Sequence, residues 1–102
     1  MKKITIHKTE LFEEWLEKLK DDRAKARITQ RIHRLSLGNA GQHRVLKHGV
    51  TELKIDHGPG YRVYFVSQGA ALVILLCGGD KATQAKDIKK AYSLAQEVLN
   101  EN

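Results

Sequence analysis

Glu52-Leu-Lys-Ile-Asp-His-Gly-Pro-Gly-Tyr-Arg-Val-Tyr-Phe65, followed by the apolar run Ala70 to Cys77 and by Gly78-Gly79-Asp80-Lys81, carries most of the fold information in this chain. Leu53 and Ile55 alternate with Glu52, Lys54 and Asp56, and Tyr61, Val63 and Phe65 alternate with Arg62, Tyr64 and Val66. That period of two belongs to half-buried strands. Between them, Gly58-Pro59-Gly60 supplies a turn, since proline presets φ and glycine tolerates positive φ. The strands should form a hairpin that puts Lys54 and Arg62 on one face. Basic and hydroxyl groups gathered there suit a phosphate ligand.

Working outward, Ala71 to Cys77 reads as a central strand covered on both sides, with Gly78 and Gly79 expected to end it. Lys3 to His7 alternate weakly and suit an edge strand. Thr9 is placed to cap a helix in which Leu11, Phe12, Trp15, Leu16 and Leu19 recur at helical spacing, ending near Lys20. Asp22 is expected to cap a second helix, with Ala24, Ile28, Ile32 and Leu35 on one stripe and Gly38 at its C-terminal cap. These two helices read as a hairpin. Asn39 to Lys47 suit a loop leading into a short strand. From Thr83 a third helix is expected, packing through Ile88, Ala91, Ala95 and Leu99 while Lys86, Lys89 and Lys90 stay polar. The pattern predicts one α+β domain over residues 1–102, an antiparallel sheet packed against an N-terminal helical hairpin and a C-terminal helix.

With 102 residues, 41% of them hydrophobic, the chain has material for one modest core. Its formal charge of +6 favours an anionic partner, nucleic acid or acidic protein. Cys77 is the only cysteine, so no intramolecular disulfide can form. Met-Lys-Lys-Ile-Thr-Ile lacks the apolar core of a signal peptide, and no run approaches the roughly 20 residues that span a bilayer. The expected location is the cytoplasm.

Four features could carry chemistry. Arg23, Arg27, Arg31 and Arg34 are spaced four, four and three apart, in one sector of the second helix. They form either a solvated face whose stems cover apolar surface or a docking stripe for phosphates or an acidic partner. Gly78-Gly79-Asp80-Lys81 leaves a strand near a helix N-terminus, where free N–H groups can receive an anion, but it lacks the nucleotide-loop pattern, and two glycines after a strand more often mark a plain chain reversal. His57 sits at the mouth of the hairpin turn, within reach of Lys54 and Tyr64, and is either a proton carrier or a surface turn residue. The five histidines show no metal-binding spacing, so no cofactor is expected. Cys77, Phe12 and Trp15 read as core.

The chain resembles RelE/ParE-superfamily toxins of type II toxin–antitoxin systems, in the HigB-like addiction module killer protein branch. The resemblance rests on Trp15-Leu16 with Leu19-Lys20-Asp21, on Ala26-Arg27-Ile28 with Arg31 and Leu37-Gly38, and on Glu52-Leu53-Lys54-Ile55. It continues through Gly58-Pro59-Gly60-Tyr61-Arg62-Val63-Tyr64-Phe65 and Leu75-Leu76-Cys77-Gly78-Gly79-Asp80-Lys81, with Thr83-Gln84 and Asp87-Ile88. It implies a RelE-like α+β fold and metal-independent endoribonuclease cleavage of messenger RNA on the ribosome. It also implies silencing by a cognate antitoxin, usually a helix-turn-helix protein, through which alone operator DNA is bound.

Carried over by position, Arg62 matches the arginine that RelE-like enzymes place near the scissile phosphate, and Lys81 falls where they keep a basic residue after the last strand. Lys54 lies in a slightly different register from the RelE strand. The tyrosine near the RelE C-terminus has two candidates for its counterpart here, Tyr64 or Tyr92. The implied catalytic set is Arg62, Lys81, His57 and Tyr64, with Lys54, Arg62 and Lys81 on RNA and the Arg23, Arg27, Arg31, Arg34 stripe on the antitoxin. Two other functions fit the same fold: ParE-like inhibition of DNA gyrase without chemistry, and non-catalytic RNA binding.

Overall fold

The computed structural model describes residues 3–100. Its elements run β1 (Thr5–Lys8), α1 (Glu10–Lys18), α2 (Asp22–Ser36), β2 (His43–Val45), β3 (Val50–Ile55), β4 (Tyr61–Gln68), β5 (Leu72–Asp80), a 3₁₀ turn (Lys81–Thr83) and α3 (Gln84–Asn100). The five strands lie in the order β1-β5-β4-β3-β2. β2 to β5 are antiparallel neighbours, whereas β1 pairs with β5 in parallel, so the sheet is mixed where the sequence suggested an antiparallel one. β1 reaches β5 only after the chain has passed through both helices and three hairpins. A connection of that length lets neighbouring strands run parallel.

Each face of the sheet has its own core. On one side Phe12 of α1 and Ala24, Ile28, Ile32 and Leu35 of α2 pack on Leu53, Ile55, Tyr61, Val63, Phe65, Val73 and Leu75. On the other, Ala91 and Ala95 of α3 pack on Val50, Tyr64, Val66, Leu76 and Cys77. The expected stripe of α3 shifts at its end, because Val98 meets the sheet and Leu99 is left exposed. A bulge between Tyr64 and Phe65 pairs Tyr64 with Cys77 and Phe65 with Leu75, so both Leu76 and Cys77 are buried towards α3.

Helix ends follow local chemistry. Thr9 caps α1, its hydroxyl oxygen accepting from Phe12 N at 3.1 Å while the O–H donates to Leu76 O at 2.7 Å. α2 is capped by Asp21 rather than by Asp22: Asp21 keeps an extended backbone, and its carboxylate accepts from the N–H groups of Arg23 and Ala24. Asp22 becomes the first helical residue, where a negative charge favours the helix dipole.

Gly78 and Gly79 do not end β5. They pair with Val63 and Arg62, and the strand continues to Asp80. Glycine is required there by close approach on both faces: a Cβ on Gly78 would lie 2.4 Å from the Trp15 ring, and one on Gly79 would lie 1.8 Å from Asp87 Oδ2. The backbone of this segment belongs to the sheet, so it forms no anion loop. Among the described residues no helix is long and apolar enough to cross a membrane.

Candidate functional site

The β3–β4 register places Lys54 opposite Arg62 and Glu52 opposite Tyr64, all on the α3 face of the sheet. α3 covers Tyr64 but begins too late to cover the end of the sheet near the turn. What remains uncovered there is a polar pocket of about 350 Å³, lined by Lys54, Arg62 and Lys81, by the turn Gly58-Pro59-Gly60, and by Gln42, Ile55, Asp56 and Tyr61. Gly58 and Gly60 take φ of +55° and +81°, and Gly60 N–H donates to His57 O at 3.1 Å. Glycine is needed at both corners because side chains are strained at positive φ. At Gly60 a Cβ would also sit 3.2 Å from Arg62 Nη1 and 3.7 Å from Lys81 Cβ. The bare turn thus lets both cations close on the pocket.

Arg62 is only 6% exposed although it lines the pocket. Its Nη1 donates to Gly60 O at 2.7 Å, and its Nε lies 3.8 Å from Glu52 Oε2 without a hydrogen bond. Lys81 follows β5 directly, where Asp80 caps the 3₁₀ turn by accepting from the N–H groups of Ala82 and Thr83. Lys81 is therefore anchored at its backbone, and among the described residues its ammonium has no partner. One fixed guanidinium and two lysines around a polar hollow have the chemistry to hold an anion such as a phosphodiester.

Two residues expected in this site lie elsewhere. His57 Nε2 is 3.1 Å from Asp21 Oδ2, and its ring stacks on Tyr61 at a centroid distance of 6.5 Å. It therefore points to the N-terminus of α2, away from the pocket. Tyr64 is wholly buried under α3, and among the described residues its hydroxyl has no hydrogen-bond partner. Burial first, then the Glu52 carboxylate, push its pKa far above the usual phenol value. It stays protonated and out of contact with solvent. Tyr92, the other tyrosine considered, has its ring against His48 and its hydroxyl 3.4 Å from Lys47 N.

The arginine row of α2 is also divided. Arg23, Arg27 and Arg34 are exposed, but Arg31 turns inward and donates to three backbone carbonyls, Lys54 O, Ala40 O at 2.9 Å and Gln42 O at 2.8 Å. Arg31 ties α2 to the loop before β2 and to β3. Its role is the opposite of the docking residue expected. Cys77 lies in the core as expected, and burial pushes its thiol up to about 12.

The sequence reading gave no role to Glu52, which is 0% exposed and is approached by Arg44 Nη2 at 3.2 Å and by Gln84 Nε2 at 3.0 Å as well as by Arg62. An acid alternating with leucine in a strand reads as a solvent-facing residue. Only the placement of α3 shows that this face is covered.

Comparison with known proteins gives a family match and two similar folds. Residues 14–100 match the family described as Phage derived protein Gp49-like (DUF891). An uncharacterized protein of Haemophilus influenzae is 57% identical over 95 residues, spanning 93% of this chain and 96% of that protein. Among solved structures, a doubly arginine-substituted E. coli toxin RelE in the free state superposes with a TM-score of 0.68 at 15% identity, over 93% of this chain and 96% of that one. The toxin–antitoxin complex RelBE2 of Mycobacterium tuberculosis gives 0.61 at 19% identity, over 78% and 99%. At such low identity the superpositions establish the fold.

Proposed function

The chain belongs to the Phage derived protein Gp49-like family, a RelE-like toxin family, and on that basis we propose that it is the toxin of a type II toxin–antitoxin module of HigB-like type. It acts as a ribosome-dependent endoribonuclease on messenger RNA in the cytoplasm, without a metal, and a cognate antitoxin neutralises it. The observation that carries this reading is the convergence of Lys54, Arg62 and Lys81 on one polar pocket at the open end of the sheet.

In the proposed reaction the ribose 2′-hydroxyl attacks the adjacent phosphorus, the 2′-proton is removed, and the 5′-oxygen leaves with a proton. Arg62 holds two phosphate oxygens and balances the charge that grows on the phosphorane. Lys54 and Lys81 can add point charge or move protons, and Asp56 and Tyr61 are the other titratable side chains that line the pocket. His57 and Tyr64 drop out of the proton relay because neither opens into the pocket. So sparse an acid–base set fits a substrate positioned by the ribosome, since a bound near-attack geometry can lower a barrier by several kcal/mol. Free RNA should then be cut poorly.

Primer-extension mapping of transcripts after brief induction, with Arg62→Ala alongside, tests the reading. Codon-spaced cuts within translated regions that vanish in the variant are expected. Growth arrest with intact transcripts would reject the nuclease in favour of a gyrase-directed toxin, and RNA binding without cuts would leave a non-catalytic module.

A further inference from the structure

We propose that Glu52 is a positioning residue, a buried carboxylate that orients the Arg62 guanidinium toward the phosphate bound in the pocket. The inference rests on the nuclease reading of this pocket. Glu52 has no solvent exposure, and a buried carboxylate is costly unless opposite charges and hydrogen bonds surround it. Three elements supply them: Arg44 from β2 at 3.2 Å and Arg62 from β4 at 3.8 Å bring opposite charge, and Gln84 from α3 donates a hydrogen bond at 3.0 Å.

The planar guanidinium of Arg62 is thereby referenced at two points. Its Nε edge faces Glu52, and Nη1 donates to Gly60 O at 2.7 Å. Among the described residues Nη2 has no hydrogen-bond partner, which leaves it for a ligand. The Nε contact is an ion pair without a hydrogen bond, so the guanidinium is aimed with only Nη1 committed to a hydrogen bond. A fold requirement alone does not explain this cluster, because well-packed apolar side chains generally stabilise such a position at least as well as ions. The carboxylate also subtracts from the positive potential of the pocket. Its removal should therefore spare RNA binding and harm the chemical step, a split that a destabilised fold would not produce.

The test uses Glu52→Gln, which keeps the shape and removes the charge, in the wild-type and Arg62→Ala backgrounds. Cleavage of a translated message is measured in a purified ribosome system, and affinity with a labelled RNA oligonucleotide. Glu52→Gln should lower cleavage by about tenfold or more while RNA affinity holds within about twofold, and it should cost less than about twofold once Arg62 is absent, the non-additivity of residues acting as a unit. The Arg62 Nε–H resonance, assigned by its loss in Arg62→Lys, should broaden in the folded Glu52→Gln protein. Equal losses in both backgrounds with reduced thermal stability would overturn the proposal in favour of a structural role, as would unchanged cleavage. If the wild-type protein cleaves nothing, the nuclease reading fails, and a sharp, unshifted Nε–H resonance in Glu52→Gln would then overturn the positioning role independently.

Discussion

Two parts of the molecule are rich in cations and use them in opposite ways. α2 carries four arginines in a row, three of them exposed and the fourth turned inward to bind backbone carbonyls. The β3–β4 end of the sheet has a single arginine, almost fully buried, with two lysines beside it across a hollow. Charge density favours the helix as a binding surface, but constraint favours the sheet. An exposed arginine gives up side-chain entropy and competes with water when it grips an anion. Arg62 has already lost that freedom on folding.

The largest effect should therefore fall on Arg62. Arg62→Ala is expected to reduce cleavage by about 10²–10³-fold, the loss typical of removing one preorganised donor from a transition state, and to lower the melting temperature as well, because buried Glu52 loses one of its opposite charges. Cleavage within threefold of wild type would reverse the ranking of the two regions. Next comes Arg31, where truncation leaves three carbonyls without their partner. A loss of about 2–4 kcal/mol in urea unfolding is expected for Arg31→Ala, against about 0.5 kcal/mol or less for Arg27→Ala on the same helix. If the two cost the same, the inward turn of Arg31 contributes nothing to the fold. A smaller effect is expected where the exposed row meets a partner. If Arg23, Arg27 and Arg34 form an antitoxin-docking face, Arg23→Glu with Arg27→Glu should raise the antitoxin Kd by about tenfold in titration calorimetry. An unchanged Kd would leave the row a solvated face.

Much of the sheet was legible because alternation in Glu52–Asp56 and Tyr61–Val66 and the turn at Gly58-Pro59-Gly60 are local signals. The pairing of Lys54 with Arg62 followed directly from them. The parallel β1–β5 pair was not legible, since β1 carries only a weak alternation and its partner lies far along the chain. Gly78 and Gly79 misled for a related reason: glycine ends strands in a sequence read locally, whereas here it admits Trp15 and Asp87 from helices on opposite faces. In the site, Arg62 and Lys81 came from resemblance to known toxins and the fold does place both at one pocket. Glu52, His57 and Tyr64 depended on which helix covers which face. No local pattern encodes that.

His57 also joins the two regions, because its contact with Asp21 ties the start of the arginine helix to the turn that walls the pocket. The Asp21 carboxyl is held below its ordinary value of 3.8, first by the Ala24 N–H and then by His57. A depressed carboxyl contributes stability that is present above its unfolded pKa and lost as pH falls through the lowered folded one. Asp21→Asn keeps a good capping side chain and removes the charge. Its melting temperature should lie below wild type at pH 5 to 7, with the gap closing only as pH drops under about 4. A gap unchanged down to pH 2 would mean that shape, not charge, holds this junction. Because the contact faces away from the pocket, His57→Ala should leave RNA cleavage within about threefold of wild type at neutral pH, far below the roughly 10²-fold minimum typical of losing a proton carrier. A loss of that larger size would restore His57 to the proton relay and move the active centre from the α3 face of the hairpin to the α2 side of its turn.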